Sequence, residues 1–113
     1  MPVDYASKIQ QYKVPNLPEA GANVFFGDVL GNKSLTGSWF LLEGPSDSTP
    51  PKYPYDESGI LIEGELSIKD ETGKKINLQP GDTFFVHNGS EITFSTPKFA
   101  LAYKTSNRPV SKL

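Results

Sequence analysis

From residue 22 onward the chain alternates apolar and polar positions in short runs broken by Gly, Pro, Asn and Asp, the period-two pattern of half-buried strands. The runs cover residues 22–30, 36–43, 58–69, 74–78, 83–87, 91–95 and 99–105, and they predict at least seven strands in a sandwich or barrel. No stretch past residue 15 carries the 3.6-residue recurrence of a long amphipathic helix. Asp70-Glu71-Thr72-Gly73 and Asn88-Gly89 read as hairpin ends, each with a Gly placed for positive φ. Tyr5, Ile9 and Tyr12 have helical spacing, but Pro15 and Pro18 stop any continuation, so the opening segment is a short helix or an extended arm. Residues 44–56, rich in Ser and Pro, are expected to loop over one mouth of the β domain, and long loops of this kind are disproportionately functional. The chain thus divides into an N-terminal arm (1–21), a β domain (22–106) and an exposed, frayed tail (107–113).

A length of 113 residues leaves room for one domain. Ten Gly and ten Pro suit a turn-rich all-β chain, and 12% aromatics supply large buried areas. Eleven Lys and Arg interleave with thirteen Asp and Glu for a net charge of −2, which lacks the basic face that nucleic-acid binding needs. There is no Cys, which removes thiolate nucleophiles, disulfides, zinc fingers and iron–sulfur ligation together. His87 is the single His, so one copy of the chain cannot build a three-histidine or two-histidine-one-carboxylate centre. No run approaches the length of a membrane helix, and the start MPVDYASKIQQYK lacks the apolar region of a secretory signal. A soluble protein with no membrane partner is expected. The last residues, Ser111, Lys112 and Leu113, spell a peroxisomal targeting signal, which implies an import receptor as partner and the peroxisomal matrix as location.

Residues 53–96, YPYDESGILIEGELSIKDETGKKINLQPGDTFFVHNGSEITFST, hold two ordered signatures. In the first, Glu57 and Gly64 are separated by six residues; in the second, Pro80-Gly81-Asp82 leads to His87, in a place usually taken by Pro, and to Gly89. This arrangement resembles the cupin barrel, and with the 37–44 strand and the Thr96-Pro97 break it is most similar to the ethanolamine-utilization Q-type cupins and their small fungal relatives. The resemblance implies an all-β, cupin-type double-stranded β-helix, a jelly-roll barrel in a single domain. It also implies a homodimer, for which the N-terminal segment is a candidate arm. A metal-dependent cupin would place His at the positions held here by Pro51, Tyr53 and Ile92, so the resemblance carries over the barrel without the metal chemistry, and no cofactor is expected.

If residues 53–57 are extended, Tyr53, Tyr55 and Glu57 share one side of the chain, and the family aims the Glu position into the barrel. A carboxyl among aromatics is raised in pKa by desolvation toward the range useful for proton transfer; the alternative is a structural carboxyl held by the tyrosines. His87 ends a strand, either as a proton shuttle or as an exposed side chain pointing away from the cavity. Glu43 shares parity with Trp39 and Leu41 on a strand that lines the cavity in this family, and is either a second cavity carboxyl or a solvated strand end. Trp39, Tyr55, Leu61, Phe85, Ile92, Phe94 and Tyr103 are expected to line a substrate pocket or the core. Lys52 and Lys104 read as surface residues, and no phosphate loop of the GxxxxGK type supports phosphoryl transfer, although an acetate kinase activity is associated with the bacterial relatives.

Together these residues lead to a metal-free enzyme that moves protons on a small hydrophobic or aromatic metabolite, as an isomerase, epimerase, dehydratase or cyclase of the kind found in fungal secondary metabolism. Glu57, Tyr53 and His87 are its candidate catalytic groups. The alternative is a non-catalytic ligand-binding module; a weaker third reading is a Mg or Ca site made of carboxylates or shared across a dimer.

Overall fold

A computed structural model describes residues 3–110, and the tripeptide Ser111-Lys112-Leu113, expected to be a targeting signal, lies outside the described residues. The β domain is a sandwich of two antiparallel sheets, with no α-helix among the described residues. The nine strands are β1 (Val24–Gly31), β2 (Thr36–Glu43), β3 (Ser46–Ser48), β4 (Glu57–Gly64), β5 (Leu66–Lys69), β6 (Lys75–Leu78), β7 (Thr83–Val86), β8 (Thr93–Thr96) and β9 (Phe99–Ser106). One sheet runs β1-β2-β9-β4-β7, the other β3-β8-β5-β6. Neighbours in sequence repeatedly lie in opposite sheets, as expected for a jelly roll.

Alternation places every second side chain of each strand between the sheets. Phe40 and Leu42 of β2, Ala100 and Ala102 of β9, Leu61 of β4, Phe84 and Val86 of β7, and Leu66, Ile68 and Phe94 of the second sheet form the common core. The single run expected at 58–69 is two strands that leave one sheet and enter the other. The switch occurs at Gly64, which has φ +86 and whose Cα faces the Phe99 carbonyl so closely that a Cβ would collide with it.

Asp70-Glu71-Thr72-Gly73 does close the β5–β6 hairpin: Asp70 Oδ1 accepts from the Thr72 N–H and hydroxyl and from the Lys74 N–H. Asn88-Gly89 does not close a hairpin, because β7 and β8 lie in different sheets. Its turn instead clamps the 53–56 segment. The Gly89 N–H donates to Tyr53 O at 2.7 Å, Tyr53 N–H donates to Ser90 O at 3.0 Å, and Asn88 N–H donates to Asp56 Oδ1 at 2.9 Å.

Both ends of the described segment are attached to this frame. The N-terminal segment forms a 3₁₀ turn over Lys8–Tyr12 and then runs along β1, where Phe26 N–H donates to Pro15 O and Leu17 N–H donates to Val24 O. Residues 107–110, expected to fray, are pinned: Asn107 N–H donates to Asp56 O, Val110 N–H donates to Asn32 O, and Arg108 grips Asp28 through two charged hydrogen bonds of 2.6 and 2.8 Å.

Candidate functional site

The register of two strands builds the site. Glu57 of β4 pairs with Ser106 of β9, and Lys104 lies two residues back on the same inward face, opposite Gly59. The Phe84 ring lies directly over Gly59, and the long Lys104 side chain runs inside the sandwich between the rings of Phe40 and Phe94. Its Nζ reaches 3.5 Å from Glu57 Oε2, with side-chain exposures of 4% for Lys104 and 1% for Glu57. Tyr53 OH donates to Glu57 Oε2 at 2.8 Å and Ser106 Oγ donates to Oε1 at 2.9 Å. Both carboxylate oxygens are therefore engaged, the usual condition for holding a charge in a protein interior.

These groups border a cavity of about 320 Å³ between the sheets. Phe26, Phe40 and Phe94 form its apolar wall, the 44–56 loop covers it with Tyr53, Tyr55 and three prolines, and Leu17 and Ala20 of the N-terminal segment complete the cover. Lys104 Nζ sits 3.9 Å from the Phe40 ring centroid and 4.1 Å from that of Phe94, within cation–π range of both. Burial pushes the Lys104 ammonium below its ordinary value, and the Glu57 carboxylate opposes that shift. Burial and the Glu57 charge push the Tyr53 hydroxyl far up, so it remains a protonated donor; Tyr55 is raised for the same reasons.

Of the residues anticipated from sequence, Glu57, Tyr53, Tyr55 and Phe94 meet at this cavity. The others do not. His87 is exposed, its ring 4.8 Å from Phe85, and both border a separate surface groove. Phe85 is 54% exposed because inward positions on β7 fall to Phe84 and Val86. Glu43 is an exposed strand end, so there is no second cavity carboxyl at that position. Trp39 and Tyr103 pack edge to face at 5.0 Å on the outer side of the larger sheet, since it is Phe40 and Lys104 that point inward. Leu61 and Ile92 are buried core residues away from the cavity wall.

Lys104 is the principal residue that sequence reasoning misses: it is a buried residue of the site, not a surface lysine. The available signal was parity: it alternates with Ala100, Ala102 and Ser106, all fully buried. Ser106 was missed with it. The donor set does not fit a transition metal. Glu57 faces an ammonium where a metal centre would need further ligands, Pro51, Tyr53 and Ile92 stand at the expected His positions, and no group of three His, Cys, Asp or Glu that could hold an ion occurs among the described residues.

Two antiparallel sheets folded as a jelly roll around a small inward-facing site define a cupin. Residues 39–105 match the family of the ethanolamine utilisation protein EutQ, and the chain belongs to that family. A curated relative, acetate kinase EutQ of Salmonella typhimurium (strain LT2), is 42% identical over 43 residues, which are 38% of this chain and 18% of the relative. This chain therefore spans under a fifth of that protein.

Among solved structures, the EutQ protein of Clostridium difficile superposes with a TM-score of 0.76 at 22% identity, covering 94% of this chain and 80% of that one. The cupin domain of Schizosaccharomyces pombe Cnp3 gives 0.68 at 11% identity, covering 76% and 65%. The DMSP lyase DddQ of Ruegeria pomeroyi gives 0.72 at 16% identity, covering 88% and 54%. At these identities the structures share the fold alone.

Proposed function

We propose that the cavity transfers protons on a small, apolar or aromatic metabolite without a metal, with Glu57 as the group that takes and returns the proton. The observation that carries this reading is the Glu57 carboxylate at the edge of an apolar cavity, held by Tyr53, Ser106 and Lys104. A carboxylate placed there is costly unless paired, and Lys104 offsets that cost. Glu57 would remove a proton from a carbon made acidic by a neighbouring carbonyl. The Tyr53 hydroxyl, which stays protonated, would steady the oxygen on which charge develops. Return of the proton to another carbon or face completes an isomerisation or epimerisation; loss of a β-hydroxyl gives a dehydration.

Phosphoryl transfer, which the name of the Salmonella relative specifies, has less support. The buried Lys104 and the half-buried Arg108 are each matched by a buried carboxylate, Glu57 and Asp28, leaving neither free for a phosphate.

The test is to incubate the full chain in D₂O with a small-molecule extract of the source organism and follow deuterium incorporation by mass spectrometry. A metabolite that gains carbon-bound deuterium with wild type, and does not with Glu57→Gln or Tyr53→Phe of verified fold, is the expected result. If wild type labels nothing, or if both variants label as well as wild type, the reading is overturned and a binding module remains.

A further inference from the structure

We propose that the cavity takes neutral aldehydes or ketones with an apolar or aromatic body, and that Lys104 Nζ condenses with their carbonyl carbon to form an imine. This deepens the proton-transfer reading and rests on it for the turnover that follows, although the condensation itself can be observed separately. Three observations point to it.

The first is the position of the amine. Lys104 lines the cavity, and its Nζ has Glu57 as its one anionic partner among the described residues; otherwise it faces the rings of Phe40, Phe94 and, at 5.9 Å, Phe26. The second is the quality of the ion pair. A separation of 3.5 Å is looser than the 2.7–2.9 Å of a strong charged hydrogen bond. In an apolar cavity, a loose pair that loses its remaining water on ligand entry is poised to pass its proton across, leaving a neutral amine and a neutral acid. The third is the charge of the cavity. Lys104 and Glu57 cancel, and the remaining charged lining residue, Lys52, is exposed at the rim. The interior therefore suits a neutral ligand. Burial, which lowers the affinity of Lys104 for its proton, acts in the same direction.

The chemistry balances without an oxidant or reductant. The ammonium gives a proton to Glu57. The freed Nζ lone pair forms a C–N bond as the C=O π pair moves to oxygen, which takes the proton back from Glu57. The carbinolamine then transfers a nitrogen proton through Glu57 to its hydroxyl, the C–O bond breaks and water departs. Amine plus carbonyl has become imine plus water. In the protonated imine the α C–H is more acidic than in the parent carbonyl, so the same Glu57 can remove and return that proton. Hydrolysis then releases the rearranged carbonyl compound and restores Lys104.

The experiment treats the full chain near neutral pH with benzaldehyde and sodium cyanoborohydride, which reduces the protonated imine in place, and maps the adduct by peptide mass spectrometry. An unperturbed lysine in water, at about 10.4, is almost wholly protonated near neutral pH and reacts slowly. The expected result is one adduct of the aldehyde mass less one oxygen, on Lys104, forming more than about tenfold faster than on any other lysine. Benzyl alcohol should slow it, and Lys104→Arg should abolish it. Labelling spread over exposed lysines with Lys104 bare overturns the proposal. If Lys104 stays bare while wild type incorporates deuterium from D₂O, the imine fails and the proton-transfer reading stands. If Lys104 is labelled while no metabolite incorporates deuterium, the imine stands and the proton-transfer reading fails.

Discussion

Lys104 and Glu57 lie on adjacent strands of one sheet, their charges 3.5 Å apart, with both side chains nearly removed from water. Because Glu57 is paired in register with Ser106, two residues beyond Lys104 on the same face, the carboxylate meets an ammonium on one side and a hydroxyl on the other. Tyr53, held by the Asn88-Gly89 turn, supplies a further donor from outside the sheet. The site is thus fixed by strand register and one clamped loop.

Breaking this pair from either side leaves a buried charge without its counter-ion. Glu57→Gln and Lys104→Met should each lower stability by about 3–5 kcal/mol, whereas the double variant should lose clearly less than the sum. Urea denaturation of the four proteins measures the coupling. Additive losses would mean that the two groups do not stabilise one another in the folded state.

The same pair sets a pH dependence. In the unfolded chain a lysine titrates near 10.4, and in the folded chain burial lowers Lys104 below that value. Between the two values the unfolded state holds more protons, so this group makes stability rise with pH in that window and contributes no slope below it. Tyr53 acts oppositely, because its raised folded value makes stability fall as pH climbs above about 10. The stability of wild type minus that of Lys104→Met, followed from neutral pH to about 10, should therefore move in favour of wild type. A flat or falling difference would contradict the lowered value.

The strands were legible wherever turn formers bracketed an alternating run, and β2 begins and ends where the pattern placed it. The short β3 was not, since Ser46–Ser48 carries no apolar signal and pairs only through its backbone with β8. The inward face of β2 was misread because both of its faces are apolar: Trp39 and Leu41 look outward, Phe40 and Leu42 inward, and a period of two cannot rank them. The pattern therefore offers Trp39 and Glu43 to the pocket as readily as Phe40 and Leu42. Tyr53, Tyr55 and Glu57 do meet at the cavity, because the clamped loop carries the two tyrosines to its mouth and Glu57 opens β4 beside it. Lys104 was lost to its residue type, and Arg108 to its position near the end of the chain, where register and partners outweigh both.

Gly64 and Gly73 both have positive φ, but only Gly64 lies against neighbouring backbone. Gly73→Ala should cost about 1–2 kcal/mol, the strain of a left-handed conformation at an open turn. Gly64→Ala adds a collision with the Phe99 carbonyl at the point where the chain changes sheets, and should cost well above that. Comparable thermal shifts for the two variants would show that the β4–β5 crossover can relax.

Arg108 ties the end of β9 to the cavity wall. Its two nitrogens grip the Asp28 carboxylate at 2.6 and 2.8 Å, Ser38 Oγ donates to the same carboxylate at 2.7 Å, and the guanidinium lies 5.5 Å from the Tyr55 ring and 5.8 Å from that of Phe26. A planar fork is needed for the two-point grip, and an ammonium in its place makes only one such contact. Arg108→Lys should therefore cost about 1–2 kcal/mol, and Arg108→Met about 3 kcal/mol, because Asp28 then loses its cation inside the fold. Phe26 and Tyr55 line the cavity beside the guanidinium, which Lys replaces with a smaller cation and Met removes, so the variants should also weaken binding of benzyl alcohol in a fluorescence or calorimetric titration, Met more than Lys. Loss of stability with unchanged binding would confine Arg108 to anchoring the chain end and separate it from the shape of the site.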